Sequence, residues 1–292
     1  MIWQKGGEIL EQALLQGVLL GGLYSTIGVG MSMIFGIARI TNLAHGDFLI
    51  LAAYISHLFI TLLGVNPFVS LIFVIPVMFF IGFLVQSALL NRVLGRGTEP
   101  SLLVTFGLSI IIQNLMLYFF SANNRRLSTP LLLQSITITD TLRIPLLLLI
   151  ACLAGVVIIL LLNLYLKKTY MGRAIRATSD DLGAAQLMGV NIKTIYGIAM
   201  GIAMVSAGFT GVLVGTLYSF APTSGSTYLI IAFAVVVIGG IGSINGTLIA
   251  GFIFGLAQAL GGQLLGVAYQ QLIAYLILLI MLIVRPQGLL SK

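Results

Sequence analysis

The sequence predicts an all-α polytopic transmembrane bundle of about eight to nine membrane helices with interrupted segments, on three observations. Of 292 residues, 59% are hydrophobic and only 7% charged, whereas a soluble domain dresses its surface with about 25% charged residues. The apolar residues gather into nine runs, near 10–36, 48–64, 67–90, 101–120, 144–166, 194–219, 227–242, 246–262 and 267–284, most of them close to the ~20 residues that cross a bilayer. None carries the roughly ten-residue alternation of a barrel strand, and in hydrocarbon only helices and closed barrels satisfy every backbone amide. The whole of 1–292 reads as one transmembrane domain with a charged cytoplasmic loop at 167–193.

The first run follows Glu8 and Glu11, is longer than a signal-peptide core and lacks a small-residue cleavage site, so it is expected to be a retained helix. Between it and the second run stands Arg39-Ile40-Thr41-Asn42-Leu43-Ala44-His45-Gly46-Asp47. Polar groups at membrane depth are costly and usually functional, and a broken helix with backbone exposed to a cavity is a common transporter site. Asn42, His45, Gly46 and Asp47 are therefore candidates for a solute pathway. The competing expectation is a short cytoplasmic turn, with Asn42 as a helix cap and Asp47 in a first helical turn. His57, ten residues past Asp47, is read chiefly as a partner for a neighbouring helix rather than as a proton relay.

The third to fifth runs alternate sides. Lys167, Lys168, Arg173, Arg176 and Lys193 cluster after the fifth, which places that connection in the cytoplasm. Alternation then puts Arg39, Arg92, Arg96, Arg285 and Lys292 on the same side, with the C-terminus cytoplasmic and the N-terminus outside. The segment 121–143, with Arg125, Arg126 and Arg143, is the exception and falls outside. Cys152, the one cysteine, lies within the fifth run, so an intrachain disulfide is excluded.

The charged loop predicts a short helix near 180–188, with Thr178, Ser179 and Asp180 offering its N-cap, Asp181 in its first turn and Gly189 past its end. Gly183, Ala184 and Ala185 give it a smooth face suited to a groove on another protein, flanked by Arg173 and Arg176.

In the last three runs, Gly239-Gly240-Ile241-Gly242-Ser243-Ile244-Asn245-Gly246 interrupts apolar sequence. It is expected to be a tight, closely packed turn, with Gly239, Gly240, Ser243 and Asn245 as further pathway candidates. Glycines four apart, at 17 and 21, 197 and 201, 211 and 215, and 251 and 255, predict close helix contacts. No G-x-x-x-x-G-K-[ST], H-E-x-x-H or G-x-S-x-G occurs, so no catalytic or metal-binding residue is assigned and nucleotide binding through a P-loop is excluded.

The stretch Asn42 to Asp47, the Met171-Gly172-Arg173-Ala174-Ile175-Arg176-Ala177 loop with its continuation to Gly189, Gly239 to Ser243, and the terminal Arg285-Pro286-Gln287-Gly288-Leu289 together resemble the integral-membrane permeases of branched-chain amino-acid ABC importers, specifically the shorter of the two paired permeases. The resemblance implies a second permease subunit, two ATP-binding subunits that carry the ATP, and an extracytoplasmic binding protein that delivers Leu, Ile or Val across the inner (plasma) membrane. This chain would bind no cofactor and no nucleic acid. Such importers carry a coupling helix with Glu-Ala-Ala, three residues, then Gly. Gly183-Ala184-Ala185 and Gly189 match it except that Gly183 stands where Glu is expected, so Arg173, Arg176, Asp180 and Asp181 are the charged coupling candidates. Related permeases carry urea or short amides, which stays open as an alternative substrate. An ion-coupled carrier working alone is the rival class, and only Asp47 approaches the membrane carboxylate it needs.

Overall fold

The computed structural model describes residues 2–38, 40–94, 97, 99–137 and 142–290, the side chains of 2–9 excepted. Arg39, Arg96 and Lys292, which enter the orientation argument, lie outside the described residues. Nine helices among the described residues are long and apolar enough to span. They are α1 (Ile2–Ala38), α2 (His45–Leu63), α3 (Pro67–Ala88), α4 (Glu99–Phe120) and α5 (Leu146–Lys168), then α8 (Ile192–Leu217), α9 (Gly225–Gly239), α10 (Ile244–Leu265) and α11 (Gln270–Val284), α9 and α11 spanning together with the short turns before them, Pro222–Gly239 and Val267–Val284. Two short helices, α6 (Tyr170–Asp180) and α7 (Leu182–Leu187), fill the charged loop. An antiparallel pair, β1 (Ser135–Thr137) and β2 (Arg143–Pro145), lies in the segment expected to be plain loop, with Ile136 opposite Ile144.

The glycine spacings do what small residues do where lipid offers no hydrophobic drive: they let backbones touch. Gly17 and Gly21 of α1 face α10, where Gly255 sits against both and Gly251 against Gly21 and Ser25. Gly197 and Gly201 of α8 receive the rings of Phe83 and Phe79 from α3, and Gly211 rests on the backbone of Leu49 in α2. α1 and α8 are accordingly the best-buried spans, and α4 and α11 are the least covered.

The connections sort onto two ends, as the alternation expects. At the α6–α7 end, Ser179 Oγ donates to the Gly36 carbonyl at 2.5 Å and Asn91 Nδ2 to the Lys193 carbonyl at 3.3 Å. Leu289 N donates to the Ile238 carbonyl there at 2.9 Å, tying the terminal segment to the α9–α10 turn. At the hairpin end, Gln12 exchanges hydrogen bonds with the Arg143 backbone and Leu127 N donates to the Gly215 carbonyl at 2.8 Å. Two of the three arginines that broke the charge pattern are used locally. Arg125 donates to the Phe120 carbonyl at 2.9 Å and to His57 Nε2 at 2.5 Å. Arg126 reaches the Thr216 and Leu217 carbonyls at 3.2 and 2.5 Å. Both guanidinium groups thus neutralise the negative C-terminal ends of α4 and α8.

Candidate functional site

The stretch after α1 is not a turn at the end of the bundle. It runs back into the protein as irregular chain and delivers the start of α2 to mid-depth, and three neighbouring helices fix that depth independently. His45 donates from Nε2 to the Ile27 carbonyl at 3.2 Å and abuts Gly30, which the Ala203 backbone also meets, while Asp47 bonds Ser109. Ile27, Ala203 and Ser109 each lie about ten or eleven residues from the α6–α7 end of their own helices, about 15–16 Å at 1.5 Å per residue. That is half of a ~30 Å hydrocarbon layer. The expectation of a short turn with a capping Asn42 is therefore corrected. Asn42 is buried, and its Oδ1 accepts from Ala44 N at 3.1 Å within the returning chain. The α2 N-cap is Ala44, which has no side-chain oxygen to offer.

Asp47, 2% exposed, projects from the first turn of α2. Its carboxylate accepts from Ser109 Oγ at 2.5 Å and Gln113 Nε2 at 3.0 Å, both on α4, and its Oδ1 lies where a side chain on Gly225 of α9 would begin. Among the described residues it has no cationic partner. A buried carboxylate is tolerable only if its lone pairs are met, and here two donors and the positive end of α2 meet them. Gly46 completes the junction, because any side chain there would enter the α9 backbone at Gly225 and Leu229. Nearby, His45 Nδ1 and Asn42 Nδ2 are buried without partners.

The other pathway candidates lie elsewhere. Gly239 ends α9 and Gly240, at φ 99°, caps it, while Ser243 Oγ accepts from Gly246 N at 3.1 Å to start α10. Asn245 Oδ1 accepts from Asn163 Nδ2 of α5 at 2.9 Å. This is the tight turn the glycines predicted, pressed on Gly36 through Gly242 at the α6–α7 end. The structure therefore splits the pathway candidates between mid-depth and this end.

The charged loop forms two helices where one was expected. α6 carries Arg173 and Arg176 on an exposed face and buries Ala174, Ile175 and Thr178 against the body. Thr178 Oγ1 bonds the Ala174 carbonyl at 2.8 Å and caps nothing. Asp180 ends α6, and the cap of α7 is Asp181, whose Oδ1 accepts from Ala184 N at 3.0 Å. Ala185 is buried at 4% whereas Gly183 and Ala184 face outward, so the smooth face is divided between body and solvent. The most exposed large apolar side chains of this loop are Leu187 at 90% and Met188 at 84%, just before Gly189 with φ 82°. Sequence reasoning overlooked those two knobs, although apolar residues next to a predicted helix end were the signal. It also overlooked Ser109 and Gln113, a polar i, i+4 pair in the middle of α4, and Tyr24, whose hydroxyl donates to Gln258 Oε1 between α1 and α10.

Comparison with known proteins agrees with this architecture. The family described as "Branched-chain amino acid transport system / permease component" matches residues 13–282. The chain is 29% identical to the high-affinity branched-chain amino acid transport system permease protein BraD of Pseudomonas aeruginosa, over 96% of this chain and 95% of that one. It is 28% identical to the corresponding protein LivH of Escherichia coli K12, with the same coverage. A shorter stretch, 41% of the chain, is 34% identical to the ribose import permease protein RbsC of E. coli. With nine spanning helices and a family match over nearly its whole length, the chain belongs to the branched-chain amino acid transport permease family and is a multi-pass membrane protein.

Proposed function

We propose that this chain is one permease subunit of an ATP-driven importer of Leu, Ile or Val, working beside a second permease, two ATP-binding subunits and an extracytoplasmic binding protein that presents the amino acid. The α6–α7 end faces the cytoplasm, where Arg92, Lys167, Lys168, Arg173, Arg176, Lys193 and Arg285 stand. The observation that carries the reading is α7, a capped six-residue helix held to the body through Ala185 and presenting Leu187 and Met188 outward. Such a rigid apolar knob on a charged loop fits a groove on a cytoplasmic partner. The chain has no phosphate-binding loop, so the motor lies on that partner.

Displacement of α7 reaches the body through α6, whose Ser179 is bonded to the last turns of α1. The returning chain and Asp47 lie beyond that point, and α4 faces them with few other contacts. Asn114 and Gln113 stand on the face of α4 that the rest of the chain leaves partly uncovered. Polar groups at that depth need protein or a wet pathway against them, which suits a route bounded by this face and the second permease. The test is expression together with adjacent candidate subunits, then reconstitution. Co-purification of ATP-binding subunits and ATP-dependent leucine uptake support the reading, and uptake by the lone chain in vesicles overturns it.

A further inference from the structure

α9 is a half-helix whose two ends sit on different levels. It starts at Gly225, in contact with Gly46 and Asp47 of α2, and runs to Gly239 without a proline or an interior glycine, about 21 Å at 1.5 Å per residue. Its foot is therefore at the α6–α7 end and its head at the mid-depth junction. We propose that the terminal segment 288–290 is a positioning clamp on that foot. Seated, it keeps α9 pressed on the start of α2 and the returning chain closed. Unseated, it lets α9 shift and admits water to residues 40–47. The transport reading enters only in taking this junction to lie on the solute route.

The clamp is built from backbone. The last four carbonyls of a helix have no partner within it. At the end of α9, Val236 O accepts from Gly240 N at 3.0 Å, whereas Ile238 O receives Leu289 N at 2.9 Å and Gly239 O receives Leu290 N at 3.1 Å. Ile238, Gly239 and Gly240 are buried, so water does not replace these two donors while the foot stays covered. A tight turn aims them: Gly288 N donates back to the Arg285 carbonyl at 2.9 Å, with Pro286 and Gln287 exposed at the corner. Gly288, at φ 82°, is itself buried and rests on Gly240, where any side chain would enter backbone. Leu289 adds its side chain to the core. The helix that carries this segment, α11, is the least covered span, so the segment is held chiefly by what it grips.

The turn after α9 is gripped from a second side. Gly242 touches Gly36 in the last turn of α1, and the Gly36 carbonyl accepts from Ser179 Oγ of α6. A shift of α6–α7 therefore pulls on the foot of α9 while the terminal segment resists it. Both ends of α9 meet their neighbours at glycines, with no long side chain between to absorb a displacement, and close-packed interiors transmit strain. Movement at the foot accordingly arrives at Gly225 and Asp47.

The experiment removes the clamp after folding. A protease site is inserted between Pro286 and Gln287, in the exposed turn, and the full chain is cleaved in nanodiscs, with release of the terminal peptide read by intact mass. Amide hydrogen exchange over 40–47 is expected to accelerate at least tenfold on cleavage, with α3 and α8 unchanged. Unchanged exchange over 40–47 after release overturns the proposal. Equal acceleration in α3 and α8 also overturns it, because the segment then holds the whole fold rather than α9. Leu289→Pro, which deletes the donor to Ile238, is expected to reproduce the effect without cleavage, and Leu289→Ala, which keeps that donor, is not. Equal exchange over 40–47 in these two variants overturns the clamp as well. In liposomes loaded with labelled leucine, cleavage of the assembled transporter is expected to raise efflux without ATP several-fold. Accelerated exchange with no added efflux supports the clamp and counts against the junction as a solute route, and so against the transport reading.

Discussion

Ser109 on α4 donates its hydroxyl to the carboxylate of Asp47 on α2 at 2.5 Å, at the middle of the bundle. With Gln113 on the same carboxylate and Thr105 Oγ1 donating to the Thr41 carbonyl at 3.2 Å, it ties a sparsely packed helix to the irregular chain that returns to mid-depth. A hydrogen bond to a charged group contributes about 1.5–3 kcal/mol. Ser109→Ala is expected to lower the thermal unfolding midpoint of the purified chain, and Ser109→Ala with Gln113→Leu to lower it further and less than additively, because both act on one carboxylate. Strict additivity in unfolding scans argues against a shared latch.

Gly46→Ala is expected to abolish stable expression, since its methyl group enters the α9 backbone and backbone cannot step aside cheaply. Gly107→Ala on α4 is the control: nothing lies within 4 Å of the position. Removing a helix-interior glycine there is worth up to about 1 kcal/mol. Fluorescence-detected size-exclusion chromatography of the two variants distinguishes them, and equal behaviour contradicts the packing account.

Leu187→Asp is expected to cut uptake at least tenfold and to reduce co-purification of ATP-binding subunits while leaving yield unchanged, because the side chain is 90% exposed. Ala185→Trp should instead lower yield itself, its position being buried. If Leu187→Asp transports normally, the exposed knob is not the contact.

Asp181→Ala removes the cap of α7, worth about 0.5–2 kcal/mol to a helix. A short helix feels this fully, so amide hydrogen exchange over 182–188 should accelerate several-fold with the transmembrane helices unaffected. Uniform exchange across the chain would place the effect elsewhere.

Arg126→Gln should destabilise the hairpin end by about 1 kcal/mol, through loss of bonds to the Thr216 and Leu217 carbonyls. On the orientation proposed above, in a Cys152→Ala background, a cysteine at Asn123 reacts with membrane-impermeant maleimide in intact cells and one at Met188 only after permeabilisation. The reverse pattern inverts the bundle.

Spans, their alternation and the close helix contacts, except at Gly215, which meets Leu127 and Phe220 of the connections, were legible in the sequence because they follow from apolar length and glycine spacing, which are local properties. Asn42 to Asp47 could be recognised as unusual but not placed, since its depth depends on where Ile27, Ala203 and Ser109 fall along other helices. The extra helix α6 was missed because Thr178 to Asp181 offers four capping side chains in a row. Tertiary contacts choose among them: Thr178 is buried, Ser179 is taken by the Gly36 carbonyl, and Asp181 remains to start α7.

The chain returning to mid-depth is irregular, and apart from the bonds that Ala44 N and His45 N make to Asn42 its peptide groups lack the repeating internal pairing that makes a helix indifferent to its surroundings. α4 covers this seam and supplies a hydroxyl to one of its carbonyls. Whatever draws α4 aside therefore admits water to a line of thirsty amides, and the ease of wetting that line, more than any single side chain, sets how readily the centre of the protein opens.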